Sequence, residues 1–187
     1  QQKDILSGAL PAELIGDGAL IVTYAKENHY NTLGQVDRQV FETHETRRKG
    51  LETHTTVRQT STQDMVYDLL GNLTRYKRAT LEYPSADDPE SKGKLTFEET
   101  RDQAGVVNIL YNPKNLMRDV HLQVTEMTPA VPISATDSLL TPSVTLAALV
   151  GEGFGGPEAP DGTRIFKKTT FTRTVVDAFN DLDQALR

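Results

Sequence analysis

The chain has 187 residues, 37% hydrophobic and 25% charged, with 20 Lys+Arg against 26 Asp+Glu for a net charge of −6. That is enough for one domain with a real core and too little for two large ones, and an acidic chain has no overall pull on phosphate backbones, so no nucleic-acid partner is expected. There is no cysteine, which excludes disulfide frameworks, thiolate zinc sites and cysteine nucleophiles, and no stretch approaches the roughly 20 apolar residues of a membrane span.

Residues 1–18 read as an irregular arm. Ile5, Leu6, Leu10, Leu14 and Ile15 are apolar, but Pro11 and the glycines at 8, 16 and 18 deny them a long helix. Gln1-Gln2 stands at the start instead of Met, as a mature end left by signal-peptide removal would; the edge of an ordered region gives the same appearance.

From Ala19 to Met127 the chain is a succession of short strands separated by turn residues. Ala19 to Lys26 is the most apolar of the early ones. Gln35 to Arg47 and Leu51 to Ser61 follow, joined at Lys49-Gly50, where Gly supplies the positive φ of a hairpin turn. Their polarity predicts a hairpin over 35–61 that projects from the core or lies at a sheet edge. Gln63 to Leu70 and Leu73 to Tyr83 form the clearest hairpin, turning at Gly71-Asn72. In its second strand Leu73, Ala79, Leu81 and Tyr83 share one face and Thr74, Tyr76, Arg78, Thr80 and Glu82 the other. The acidic stretch 84–94 reads as a mobile loop. Lys94 to Arg101, Gly105 to Tyr111 and Arg118 to Met127 continue the meander. In the last of these Val120, Leu122 and Val124 alternate with Asp119, His121 and Gln123, a half-buried pattern that places the valines and leucine inward.

The pattern then breaks. Pro129, Pro132 and Pro142 punctuate an apolar segment, and Thr141-Pro142 predicts the start of a helix over Thr141–Val150, with Gly151 to end it. This helix is too apolar to lie free in water and must cover the sheet or dock on something. After a Gly/Pro loop, Arg164 to Val176 reads as a last strand. Asp177 can cap a terminal helix with Phe179, Leu182 and Leu186 on one stripe.

Few residues suggest chemistry. With a turn at Lys49-Gly50, His54 lies opposite Glu45 and His44 opposite Thr55, so the two imidazoles point to opposite faces and share no metal. His121 falls on the polar side of its strand. His29 sits in a turn-like stretch without a spaced ligand set. Glu98 and Glu99 are strand neighbours on opposite faces and cannot flank one bond. Asp64 and Asp68 share a strand side with nothing nearby to raise a pKa. No nucleophile elbow or phosphate-binding loop is present. The basic runs Arg47-Arg48-Lys49, Arg75-Lys77-Arg78 and Lys167-Lys168 read as solvated strand and turn positions.

The hairpin Tyr67-Asp68-Leu69-Leu70-Gly71-Asn72-Leu73 looks like the YD-x-x-GNL turns common in bacterial envelope proteins. The order of arm, meander, Pro-rich apolar segment with helix, and final strand resembles the LolA/LolB-like lipoprotein-carrier half-barrels. The resemblance implies a curved sheet that wraps helices around an apolar cavity for acyl chains. The long N-terminal helix of that family is here missing or reduced to Asp4–Leu10.

These readings predict a mainly β (α+β) single domain over 1–187. Its architecture is a curved antiparallel meander or half-barrel of about eight or nine strands, with one short apolar covering helix and a C-terminal helix. The expected function is non-enzymatic: an extracytoplasmic protein of the periplasm, envelope or secreted fraction, holding an apolar or lipid-like ligand between sheet and cover. The residues expected to line that site are Leu81, Leu110 and Leu122 on the sheet, and Leu139, Leu140, Val144, Leu146 and Leu149 on the cover. No catalytic residue, metal or cofactor is expected. The alternative is a structural subunit of an envelope or virion assembly, meeting neighbouring subunits through the 1–18 arm and the 35–61 hairpin. A hydrolase with a site assembled from distant residues is the third reading.

Overall fold

A computed structural model describes residues 18–49, 52–84, 91–129, 131–153 and 166–176. The strands are β1 Gly18–Tyr30, β2 Val36–Lys49, β3 Glu52–Tyr67, β4 Leu73–Glu82, β5 Lys94–Thr100, β6 Leu110–Tyr111, β7 Met117–Thr128 and β8 Phe166–Val175. Helix α1, Val144–Gly153, lies between β7 and β8. All eight strands form one open antiparallel sheet in sequence order, with β5 and then β6 occupying the place between β4 and β7. The mainly β fold read from the sequence is thus the fold observed. The predicted arm up to residue 17, the Asp177 helix and most of the acidic loop fall outside the described residues.

Several boundaries move. The two strands expected over Leu51–Ser61 and Gln63–Leu70 are one 16-residue strand, β3. A bulge follows Gln63, with Asp64 in the left-handed region at φ 54° and its carboxylate 3.0 Å from Lys77 Nζ. A bulge bends a strand without ending it, which is why the polar break in the sequence is not a chain break in the sheet. The polar β2–β3 hairpin lies within the sheet, between β1 and β4. Its register, Arg47↔His54 and Lys49↔Glu52, is two residues from the predicted one, so His54 opposes Arg47 and not Glu45. A two-residue slip preserves side-chain parity, and the two histidines still lie on opposite faces.

Parity also fixes which side of the sheet is covered. Ala79 and Leu81 on β4, Leu95 and Phe97 on β5, and Met127 on β7 lie on one face, the inner face, through the pairs Ala79↔Phe97, Leu81↔Leu95 and Leu95↔Met127. With Ile133, Leu139 and Leu146 they form the buried core, and Tyr83, Leu149 and Val150 pack on its rim. Counting back from Met127 puts Thr125, Gln123, His121 and Asp119 on the inner face. Val120, Leu122 and Val124 are therefore on the outer face, opposite to the side predicted. His121 does lie on the polar side of the strand with Asp119 and Gln123, but that side is the inner one; it is 3.3 Å from Asp119, whose carboxylate also takes Arg173 at 2.7 Å.

Apart from Val120, Leu122 and Val124 of β7, the outer face of β2–β5 is largely polar and cross-linked to its neighbours. Arg58 donates to Glu82 at 2.6 Å and to Glu45 at 2.9 Å, Arg78 and Tyr76 both donate to Glu98, and Lys94 reaches Glu126 at 2.5 Å. Opposite charges on neighbouring strands are what allow these sequences to pair deep within a sheet.

Helix α1 begins three residues later than expected. Ser143, not Thr141, is its cap: Ser143 Oγ accepts the Leu146 N–H at 3.2 Å, and its carbonyl accepts the Ala147 N–H. At the other end Gly153 lies against the ring of Phe97, so close that an added Cβ would overlap three ring carbons. Gly151, one turn position away, faces open space. Gly153→Ala is expected to lower stability by about 1–3 kcal/mol through forced displacement of the ring. Gly151→Ala is expected to raise it by about 0.5–1 kcal/mol, the ordinary gain for a helical glycine. Urea midpoints of the two variants check both, and equal shifts would contradict the packing described.

Candidate functional site

The space directly between sheet and helix is closed. Leu81, Leu95, Phe97 and Met127 from the sheet are at most 2% exposed, and Leu139 and Leu146 meet them from the cover. Among the described residues, hollows lie beside this core on both sides of the segment 131–138.

The first is a cleft of about 490 Å³ between that segment and the inner face of β2–β4. Glu42, His44, Val57, Gln59 and Tyr83 form its sheet wall, with Thr136, Asp137 and Ser138 opposite. Alternation places Glu42 and His44 side by side on β2, and the pair Glu42↔Gln59 brings β3 to them. Gln59 Nε2 donates to Glu42 at 3.1 Å, while Gln59 Oε1 accepts from Ser138 Oγ and from the Leu139 N–H, both at 3.0 Å. One buried amide therefore joins the cover to the sheet and is satisfied at both ends. Tyr83 reinforces the join by donating to the Asp137 carbonyl. Ser138 Oγ also accepts the Leu140 N–H, so this hydroxyl is engaged in shaping the cover.

Glu42 is the charged centre of the cleft. Burial alone would raise its carboxyl, but hydrogen bonds from His44, Gln59 and Lys26 together outweigh it and hold the group at about 2. The carboxylate is 2.9 Å from His44 Nε2 and 3.1 Å from Lys26 Nζ. Tyr24 stands edge-on to His44 at 5.4 Å between ring centres and completes this corner.

The second hollow is an apolar groove of about 380 Å³ between the Pro-rich segment and α1. Pro129, Val131, Pro132, Ile133, Leu146 and Leu149 supply most of its wall. It shares Ile133, Thr136 and Asp137 with the cleft, so the two hollows adjoin.

The residues predicted to line an apolar site separate into groups. Leu81, Leu139 and Leu146 meet in the core, with Leu149 at its rim. Leu140 is half-buried just before the helix cap. Leu122 lies on the outer face, away from the cover. Val144 is 90% exposed on the first turn of α1, and Leu110 is 54% exposed near the far end of the sheet. Val131 and Ile133 were visible as apolar residues in the sequence. The wall they form depends on how 129–138 folds back over the sheet, and no local pattern encodes that. Among the described residues no group of three or more His, Asp or Glu side chains is placed to hold a metal ion, and no helix is long and apolar enough to cross a membrane.

Because the depressed Glu42 carboxyl stabilises the fold only while ionised, its contribution is present above pH 4.5 and is lost as pH falls to about 2. The stability margin of wild type over Glu42→Gln is expected to shrink across that window, and a margin constant with pH would contradict the assignment. Gln59→Leu, which leaves the Leu139 N–H without its acceptor, is expected to cost about 1–3 kcal/mol in a chemical melt.

No protein-family model matches the chain, and neither a curated protein nor a solved structure matches it.

Proposed function

We propose that the protein is a non-enzymatic carrier of an amphiphile, with an acyl-like chain in the groove of Pro129, Val131 and Leu149 and a polar end in the cleft of Glu42, His44 and Gln59. The observation that supports this reading most is the shared wall: an apolar hollow opens beside a charged one, with Ile133, Thr136 and Asp137 common to both. Ligand sites combine apolar walls with a few placed polar groups in this way. The setting we propose is extracytoplasmic, where apolar chains must be carried through water. The layout resemblance to lipoprotein carriers favours the same class of ligand. The place differs from that family's cavity, because here Phe97, Leu139 and Leu146 fill the space beneath the helix.

Native mass spectrometry of gently purified protein is expected to show a bound lipid-like species, and an environment-sensitive apolar dye is expected to compete for its site. Val131 is 67% exposed, so Val131→Asp should leave the melting temperature unchanged. It should weaken dye binding at least about tenfold, the equivalent of ~1.4 kcal/mol. Absence of both lipid and dye binding in wild type would end this reading.

One observation favours the second reading, a subunit of a larger assembly. Strands β1, β2 and β3 pair out to Gly18↔Arg48 and Lys49↔Glu52, whereas β4 pairs β3 only as far as Arg58↔Glu82. The three strands thus run past their neighbour as a tongue, a shape suited to reaching another subunit. Light scattering that gives a monodisperse monomer over a wide concentration range would rule this out.

A further inference from the structure

The end of the sheet opposite the cover carries three turns built to one plan. In each, a side-chain oxygen at the first position accepts the N–H groups two and four residues on: Asn31 from Leu33 and Gln35, Asp68 from Leu70 and Asn72, Asn112 from Lys114 and Leu116. The first N–H donates to the fifth carbonyl and the fourth N–H to the first carbonyl in all three. The fourth residue has positive φ each time: Gly34 at 75°, Gly71 at 84° and Asn115 at 62°. Alternate turns of a meander share an end, and β5 and β6 run in the same direction because both are antiparallel to β7, so the β1–β2, β3–β4 and β6–β7 turns share one end. The second and third touch, with Asn72 Nδ2 donating to Asn115 Oδ1 at 3.4 Å.

These pinned turns hold apolar side chains out into water. Leu33 is 81% exposed, Leu69 106% and Leu70 74%, and Leu110 and Met117 beside them are about half exposed. Single exposed leucines are ordinary; here they stand on neighbouring turns of one end, the second touching the third through Asn72 and Asn115 and flanking the first where Tyr67 donates to the Val36 carbonyl. The tips are already ordered by their own hydrogen bonds, so burying them against a partner loses little further backbone entropy.

Charge selects the partner. Lys114 lies on the third tip, and Arg75 and Arg118 stand exposed just behind the row. The carboxylates of this end are engaged within the fold. Asp37 is held by His29, Asp64 by Lys77, and Asp119 by Arg173 and His121. Asp68 keeps its charge on the second tip, where three N–H donors of its own turn hold it, and Arg75, Lys114 and Arg118 outnumber it. Apolar tips backed by basic side chains complement a surface that is anionic outside and apolar within.

We infer that this loop end docks on an anionic lipid bilayer, with Leu33, Leu69 and Leu70 entering the headgroup–acyl boundary and Arg75, Lys114 and Arg118 meeting the phosphates. This inference uses other residues than the groove and stands independently of the ligand proposed there.

Vesicle co-sedimentation tests it. Wild type is expected to pellet with phosphatidylcholine vesicles containing phosphatidylglycerol, less so at high salt, and not with phosphatidylcholine alone. Leu69→Asp with Leu70→Asp should lower the bound fraction at least about tenfold, with an unchanged melting temperature because both side chains are exposed. The chain has no tryptophan, so Leu70→Trp gives a single reporter whose emission should shift to the blue on adding anionic vesicles. No sedimentation, or equal sedimentation of the double Asp variant, would overturn the inference. So would a wild-type dimer that the double variant dissolves while neither protein binds vesicles, since the tips would then be a contact between copies.

Discussion

The contact of Gly153 with the ring of Phe97 is the point on which the rest of the structure depends. It lets the end of α1 approach the sheet closely enough for Leu139 and Leu146 to reach Leu81, Leu95 and Met127. Burial at that point makes one face of β4, β5 and β7 the inner face, and the strict two-residue period of each strand then assigns a side to residues on either hand. Filling the centre also displaces any hollow to the margins of the cover. The groove and the cleft are where they are because the core between them is complete.

Away from that core the sheet is held by polar interactions, and this explains how β2 and β3 sit inside it with few apolar residues. Their outer face carries Glu45 and Arg58, linked to each other and to Glu82 of β4, and their inner face carries Glu42 and Gln59 in a satisfied network. Buried polar groups are tolerated when every donor and acceptor finds a partner. Gln59 meets that condition and also ties the cover down, so the cleft is a product of the same hydrogen bonds that shape it.

Much of this was legible in the residues, and the rest was not for identifiable reasons. The turn at Gly71-Asn72 was clear because glycine carries its chemistry locally, but Asp68, read as a strand residue on the side of Asp64, is the first residue of that turn and accepts its N–H groups. Alternation in Val120, Leu122 and Val124 gives a period and no sign: only the pairing Leu95↔Met127 says which side faces the cover. Thr141-Pro142 offered a plausible helix start, but Ser143 is the residue whose hydroxyl reaches the Leu146 N–H. Strand β3 was divided in the sequence because a bulge and a break look alike in composition. Leu110 and Val144 are apolar residues that the fold leaves at its edges, where composition alone cannot place them. The groove is made where Val131–Asp137 meets α1, a tertiary contact with no local period to announce it.

In the proposed function an apolar ligand lies beside the cover and not beneath it. Isotope-filtered NOE spectroscopy, with the protein labelled on its methyl groups and an unlabelled alkyl amphiphile bound, tests this most directly. Contacts are expected from the alkyl chain to Val131, Ile133 and Leu149, with none to Leu81, Leu95 or Met127. Contacts to the second set would mean that the core opens to admit the ligand, and would rule out a site beside the cover.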